Sequence, residues 1–577
     1  MNEILFPASS QPRLRDAVRA LSLADETERG AVYTRPEVVQ AMLDLAGYTS
    51  DRPLHQLRLL EPSFGGGDFL LPIVDRLLAA FQAHGGDPAQ IELLSGSIRA
   101  VEVHAEAFEL TAAALIDRLV AWGASPTDAT RTVAHWLNQD DFLLWQAPGR
   151  MDFVIGNPPY VRQERIPGPL LDEYRRRYKT IYDRADLYVP FFERGLDLLS
   201  PSGRLAFICA NRWLKNKYGG PLRAHASSGF HLRYFIDLEG SPAFRSDVIA
   251  YPAITVFERG SSGPTRVARK PEITEASLSR LTRAMIREGS PTDNRVDEVH
   301  SATSGTAPWL LDAPDRLRLL RRLEAELPDM ESAGCRVGIG VATGADSVFI
   351  GKYDDLRVEP SRKLPLAMAA DLTGTRLTWR GSGVINPFEP DGSLANLERY
   401  PLFGSYIRKH QARLVARHCA KRSAEGWYRT IDRIWTGLTS TPKLLIPDIK
   451  GEPTVVYDPG HFYPHHNLYH VVSDRWELPA LATVLRSSLA VVFVSSYCIR
   501  MSGGFLRFQA QYLRRIRVPR WESLTEHQRR ALREASDTLD LQVIDHAVAL
   551  AYGLTPDEAA QVRQAAAEAR VPRKAAS

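Results

Sequence analysis

Between residues 58 and 259 short apolar runs alternate with stretches of helical spacing, and this rhythm limits the fold more than any other feature. "RLLEPS" (58–63) is an apolar strand running into glycines, and "DFLLPIVDRLLAAFQAHG" (68–85) has helical spacing and reaches a glycine C-cap. "SIRAVEV" (97–103) and "MDFVIG" (151–156) are further strands, separated by the helical "AEAFELTAAALIDRLVAWG" (105–123). "DLYVPFFERGLDLL" (186–199), "GRLAFICA" (203–210) and "AYPAITVFER" (250–259) continue the alternation. Such a sequence predicts an α/β fold, a mostly parallel sheet covered on both faces.

A chain of 577 residues exceeds one ordinary core. The rhythm stops after "GSSGPT" (260–265), and mixed strands and turns follow beyond about residue 305. The expected division is an α/β domain over 1–262, a connecting segment over 263–310, a mixed α+β domain over 311–524 and C-terminal helices over 525–577, the last starting with Thr555 as N-cap. No run of about 18 uncharged apolar residues predicts a membrane span, and "MNEILFPASSQPRLRD" lacks the pattern of a signal peptide. Four scattered cysteines form no CxxC pair, so neither a disulfide framework nor a zinc site is predicted, and a cytoplasmic location is expected. The net charge of +4 decides nothing, but its distribution is uneven. In "FLRFQAQYLRRIRVPR", Arg507, Arg514, Arg515, Arg517 and Arg520 have no acidic neighbour, and a second basic run spans Arg408 to Arg433. A phosphate-binding surface needs such local excess, and a solvated charged face shows it too.

In open α/β sheets ligands sit outside the carboxyl ends of the strands. The first such end is "EPSFGGGDFL" (61–70), where Gly65 and Gly67 let backbone approach a ligand closely. It is not the dinucleotide fingerprint GxGxxG, and Glu61 and Asp68 are unwelcome beside a pyrophosphate. They suit a cation without phosphate, and S-adenosylmethionine carries both a sulfonium and an ammonium group. The second end is "VEVH", where Glu102 can accept both hydroxyls of a ribose. The third is "NQDDFLLW", where Asp141 can accept from an exocyclic amino group and Phe142 can lie against a purine.

"FVIGNPPY" (153–160) carries the acceptor chemistry. The N6 amino group of adenine is a poor nucleophile because its lone pair is delocalised into the ring. Two acceptors holding its N–H groups favour a tetrahedral nitrogen. The side-chain oxygen of Asn157 and the carbonyl of Pro158 supply them, while two prolines in succession stiffen the elbow and bring no competing N–H. Tyr160 offers a face for the base. Methyl transfer to nitrogen needs no covalent nucleophile, whereas methylation of cytosine C5 needs a thiolate, and no Pro-Cys is present.

These residues resemble the γ-class N6-adenine DNA methyltransferases, the TaqI-like enzymes. "RGAVYTRPEVVQAMLDLA" is similar to that family's motif X, "LEPSFGGGDFL" to motif I, "VEVH" to motif II, "DDFLLW" to motif III and "GNPPY" to motif IV, in the order that defines the class. The resemblance implies a Rossmann-like class I methyltransferase domain. It implies that Thr34, Glu61, Glu102, Asp141 and Phe142 contact S-adenosylmethionine, and that Asn157, Pro158 and Tyr160 hold the target adenine. Phe244 falls where the family places a second aromatic against the flipped base. "VGIGVATGADSVFIG", "TPKLLIPDI", "HHNLYHVV" and "SGGFLRFQAQYLRRIRVPR" look like the attached target-recognition domain, with Arg514, Arg515 and Arg517 as candidate contacts to double-stranded DNA among aromatics such as Tyr428, Tyr463, Tyr469, Phe505, Phe508 and Tyr512. The resemblance further implies the modification component of a restriction-modification system, with a cognate endonuclease that acts on the same site without forming a stable complex.

The NPPY elbow also serves enzymes that methylate glutamine in proteins or bases in RNA, and those enzymes lack motif X and a basic extension of this length. A fused restriction enzyme is the other rival. "PDIKGE" (447–452) approaches a nuclease site but has no ExK, and the 30 residues before motif X are too few for a nuclease domain.

Overall fold

A computed structural model describes residues 12–23, 32–245, 251–260, 263–291, 293–300, 303, 305–421, 425–448, 453–498 and 506–570. The chain divides into two compact units, residues 1–314 and 315–577.

The first unit is built on a nine-stranded sheet of order β3-β2-β1-β4-β5-β7-β6-β8-β9. The strands are β1 (Leu59–Glu61), β2 (Ile98–Glu102), β3 (Leu137–Gln139), β4 (Met151–Gly156), β5 (Leu199–Ala210), β6 (Phe230–Asp237), β7 (Pro252–Arg259), β8 (Thr265–Arg269) and β9 (Val296–Val299). β3, β2, β1, β4 and β5 run parallel, and β7 is antiparallel to both of its neighbours. The strand order reverses between β1 and β4, which places the ligand crevice of a doubly wound sheet at their carboxyl ends. All three residues of β1 are buried and β4 is buried at every position except Asp152, as expected of strands covered on both faces.

Helices α1 (Pro12–Ser22), α2 (Pro36–Ala46), α3 (Leu70–Ala83), α4 (Ala105–Trp122), α5 (Pro126–Trp136), α6 (Gly168–Arg177), α7 (Tyr188–Asp197), α8 (Gly220–Ser227) and α9 (Glu275–Ile286) accompany the sheet. α2 opens on Pro36 and closes on Gly47 at φ 78°, a left-handed cap that glycine adopts without strain. Its Val38, Val39, Met42 and Leu45 join Ile73, Val74 and Leu77 of α3 in the main core.

The structure corrects the reading of residues 263–310 as a connecting segment. β8, α9 and β9 extend the sheet, with β8 parallel to β6 and β9 antiparallel to β8. Their sequence gives little alternation because β9, "VDEV", lies at the sheet edge. β5 begins at Leu199, before the strand expected from residue 203, and its register with β4 shifts between Met151 and Phe153.

The second unit contains two four-stranded sheets. One has the order β10-β19-β16-β17, from β10 (Cys335–Ile339), β16 (Lys443–Pro447), β17 (Val456–Asp458) and β19 (Leu468–Ser473). The other has the order β11-β15-β12-β18, from β11 (Ile350–Lys352), β12 (Lys363–Ala367), β15 (Ser382–Ile385) and β18 (Tyr463–Pro464), and a two-residue pair, β13 (Leu372–Thr373) with β14 (Arg376–Leu377), completes the strands. Lys443 and Asp458 form an ion pair at 2.8 Å with both side chains fully buried, and Lys443 Nζ also donates to the carbonyls of Leu438 and Thr441.

The expected C-terminal helices form at Glu526–Glu534, Leu541–Tyr552 and Pro556–Arg570. Thr555 and Glu558 cap the last one reciprocally, at 2.9 and 3.2 Å. They pack within this unit: Asp545 accepts from Ser488 N–H at 2.7 Å, and Thr483 donates to the Leu532 carbonyl. No single helix among the described residues is long and apolar enough to cross a membrane; the most apolar pair, Leu478–Arg486 and Ser488–Tyr497, bends by 63° and is almost wholly buried.

Candidate active site

The glycine turn after β1 is set by backbone geometry. Gly65 (φ 47°) and Gly67 (φ 83°) occupy left-handed conformations that side chains resist. A Cβ on Gly67 would also press on Thr111 at 3.1 Å. The turn is tied to β2 by Glu102, whose oxygens accept N–H groups of Gly65 and His104, each at 2.8 Å. Thr111 anchors the Gly65 carbonyl from α4.

One cavity opens at these strand ends. Thr34, Glu61, Gly65, Glu102, Asp141, Phe142 and Asn157 all line it, as do Asp68, Asp140 and Tyr174. Seven candidate site residues and Asp68, all singled out in the sequence, therefore converge, although Thr34 and Asn157 lie 123 positions apart. Gly67, Pro158, Tyr160 and Phe244 are not in this wall; the last two meet edge to face beside it, ring centroids 6.1 Å apart at 82°. Tyr160 also lies 6.5 Å from the Tyr188 ring.

The carboxylates explain the electrostatics. Burial, reinforced by the charges of Asp68 and Glu102, raises the Glu61 carboxyl well above its usual range, and its Oε2 is buried without a hydrogen-bond partner among the described residues. Burial also raises Asp68, against the pull of Arg245. At the third strand end burial pushes Asp140 up to about 6 and raises Asp141. Asp141 is held by Leu143 N–H at 2.8 Å and by the Tyr174 hydroxyl. The Phe142 ring lies 4.9 Å from the Phe191 ring and 5.1 Å from the Arg194 guanidinium. A wall this rich in carboxyl groups whose anions burial disfavours suits a cationic ligand and not a phosphate, and the donor set fits S-adenosylmethionine.

Asn157 is oriented unambiguously. Its Nδ2 donates to the Val32 carbonyl at 2.8 Å and to Thr34 Oγ1 at 3.2 Å, both on the segment before α2. Its Oδ1 is buried and has no partner among the described residues. Sequence reading missed Tyr174, Asp140 and Arg245. Tyr174 carries no local signal, because its partner Asp141 is 33 positions away. Arg245 directly follows Phe244 and could have been noticed there.

The second unit corrects the reading of the basic runs. Arg507 pairs with Asp448, and Arg514 pairs with Glu331 at 2.8 Å while donating to the Val337 carbonyl. Both acids are distant in sequence. Arg517 is half-buried and reaches the Leu327 carbonyl at 3.5 Å, and Arg515 is exposed with its guanidinium 4.6 Å from the Tyr497 ring. Tyr428, Tyr463, Tyr469 and Phe508 are buried core residues rather than a stacking surface. Phe505, Arg422 and residues 449–452 of the nuclease-like "PDIKGE" lie outside the described residues.

Comparison with known proteins agrees with this geometry. The family profile of the Eco57I restriction-modification methylase matches residues 93–244, and that of the TaqI-like C-terminal specificity domain matches residues 395–518. The chain is 53% identical to the Type II methyltransferase M.PaeR7I of Pseudomonas aeruginosa, over 92% of each protein. It is 51% identical to M.XhoI of Xanthomonas vasicola, over 92% of this chain and 98% of the relative, and 40% identical to M.BstVI of Geobacillus stearothermophilus, over 93% and 98%. Among solved structures, the Type IIL restriction-modification enzyme MmeI in complex with DNA shares the fold, with a TM-score of 0.53 at 13% identity over 97% of this chain and 75% of that one.

Proposed function

The chain belongs to the Type II methyltransferases of restriction-modification systems, and on that premise we propose that it methylates the N6 amino group of an adenine turned out of duplex DNA. DNA methylation with S-adenosylmethionine as donor is the family's chemistry; the choice of adenine N6 and the residue roles below are our own reading.

The observation that carries the proposal is the orientation of Asn157. Both hydrogens of its amide are spent on Val32 and Thr34, so the amide cannot turn, and the buried Oδ1 is left as an acceptor. A buried acceptor without a partner costs about 1–3 kcal/mol, which an incoming amino group recovers. Oδ1 and the Pro158 carbonyl would hold the two N–H groups and draw the nitrogen lone pair out of the ring plane. Tyr160 and Phe244 would wall the base, and burial keeps the Tyr160 hydroxyl neutral far above its ordinary range. When bound, S-adenosylmethionine supplies an electrophilic methyl group on its sulfonium. Glu61, Asp68 and Glu102 would hold the cationic and ribose portions, with Thr34 beside them, while Asp141 and Phe142 would hold the adenine end. Gly65 and Gly67 shape the turn. None of the described cysteines lines the cavity, and burial pushes the Cys209 thiol up, so the wall offers no thiolate for cytosine C5 chemistry.

A base inside a duplex cannot reach this cavity, so the DNA must be gripped while one nucleotide flips out. We assign the grip to the specificity domain. Within its 514–517 stretch Arg515 is the candidate phosphate contact, and Arg514 and Arg517 serve mainly to hold the fold. The protein would act in the cytoplasm alongside an endonuclease of the same specificity, without a stable complex.

Replacing Asn157 by Ala tests the reading. Single-turnover transfer of labelled methyl to DNA should fall by about 10²-fold or more, the scale for losing one well-placed polar group in a transition state, while calorimetry still detects cofactor binding. Transfer at close to the parent rate would refute it.

A further inference from the structure

Arg245 lies in no motif, yet it joins the two parts of the site. Its guanidinium is 2.9 Å from Asp68 Oδ1, and the other oxygen of Asp68 accepts Thr34 N–H at 2.8 Å. Thr34 Oγ1 in turn receives Asn157 Nδ2. The backbones on either side are paired. Thr34 and Phe244 form an antiparallel bridge, Arg35 N–H donates to the Ala243 carbonyl at 3.1 Å, and Arg245 N–H donates to the Tyr33 carbonyl at 2.9 Å. Arg35 Nε also reaches the Phe244 carbonyl at 3.3 Å. One carboxylate beside the glycine turn therefore fastens both the segment that orients Asn157 and the segment that carries Phe244. That carboxylate also lines the cavity where the cofactor's positive charge belongs.

We infer that Arg245 is a positioning residue with two opposed effects: paired with Asp68 it sets Phe244 against the target base, and it competes with the cationic cofactor for the same carboxylate. The inference rests on the reading of Tyr160 and Phe244 as walls for the flipped adenine. A residue that merely stabilised the fold would weaken cofactor binding and methyl transfer together. This one predicts opposite signs. Without Arg245, Asp68 faces the cavity with no ion-pair partner among the described residues, so the cofactor binds more tightly, while Phe244 loses its anchor and transfer slows.

The experiment uses the full-length protein with Arg245→Ala and Arg245→Lys, at pH 8. Titration calorimetry with S-adenosylmethionine should show affinity about two- to fivefold tighter in Arg245→Ala, the scale of a partly exposed ion pair. Single-turnover methyl transfer to unmethylated genomic DNA should slow about tenfold, as for a misplaced reactant, and Arg245→Lys should restore both towards the parent. Unchanged affinity would sink the competition, and unchanged transfer would sink the positioning. Weakening of both, with no rescue by Lys, would reduce Arg245 to a structural part. Normal transfer in Asn157→Ala would instead overturn the reading of the site itself, so the two failures are distinguishable.

Discussion

At the scale of single residues, the acids around the cavity are tuned by burial, and Asp140 gives the most measurable case. Its carboxyl is pushed up to about 6 in the folded protein, against about 4 in an unfolded chain. The folded state therefore holds an extra proton between those pH values. The associated stability is fully present below about pH 4 and is lost as pH rises through 6. Asp140→Asn mimics the protonated form and keeps the acceptor for Asp141 N–H. The variant should match the parent near pH 4 and become more stable than it by about 1–3 kcal/mol at pH 7. A stability difference that stays flat across that range, measured by denaturant unfolding, would contradict this account. Residues at this scale were legible where chemistry constrains local sequence: Asn157 between a strand and two prolines, Glu102 at a strand end, Gly65 and Gly67 in a turn. Asp68 was visible as a charge, but its link to Arg245, 177 positions away, was not.

Among the elements, β1, β2, β4, β5 and β7 could be read because strands buried on both faces are continuous apolar runs. β3 and β9 could not. Three or four residues such as "LNQ" and "VDEV", one at each edge of the sheet, carry no period to detect. The second unit hides its organisation for a different reason: its key contacts are polar and long-range. The sequence shows Lys443 as one more basic residue, yet it is fully buried against Asp458, and desolvation lowers its ammonium below the usual range. Lys443→Ala would leave Asp458 buried without its cation and should cost about 3–5 kcal/mol, seen as a large fall in the unfolding midpoint of the second unit. Lys443→Met together with Asp458→Leu should recover much of that loss. A single variant as stable as the parent would show that the pair is dispensable.

For the whole molecule, family membership and the order of motifs agree on a DNA methyltransferase with an appended specificity domain. The first unit was legible because its motifs fall in chain order at the carboxyl ends of successive strands, β1, β2, β3 and β4, which the sheet brings together around one cavity. The second unit was not, because an arginine's freedom depends on acids far away in sequence, as Glu331 shows for Arg514. The central claim is the identity of the acceptor atom. It is tested most directly by expressing the protein in a host that lacks adenine methylation, digesting the DNA to nucleosides and resolving them by mass spectrometry. The account predicts N6-methyladenine, at a much lower level in cells that express Asn157→Ala. N4-methylcytosine or 5-methylcytosine, with N6-methyladenine no higher than in the empty host, would contradict it.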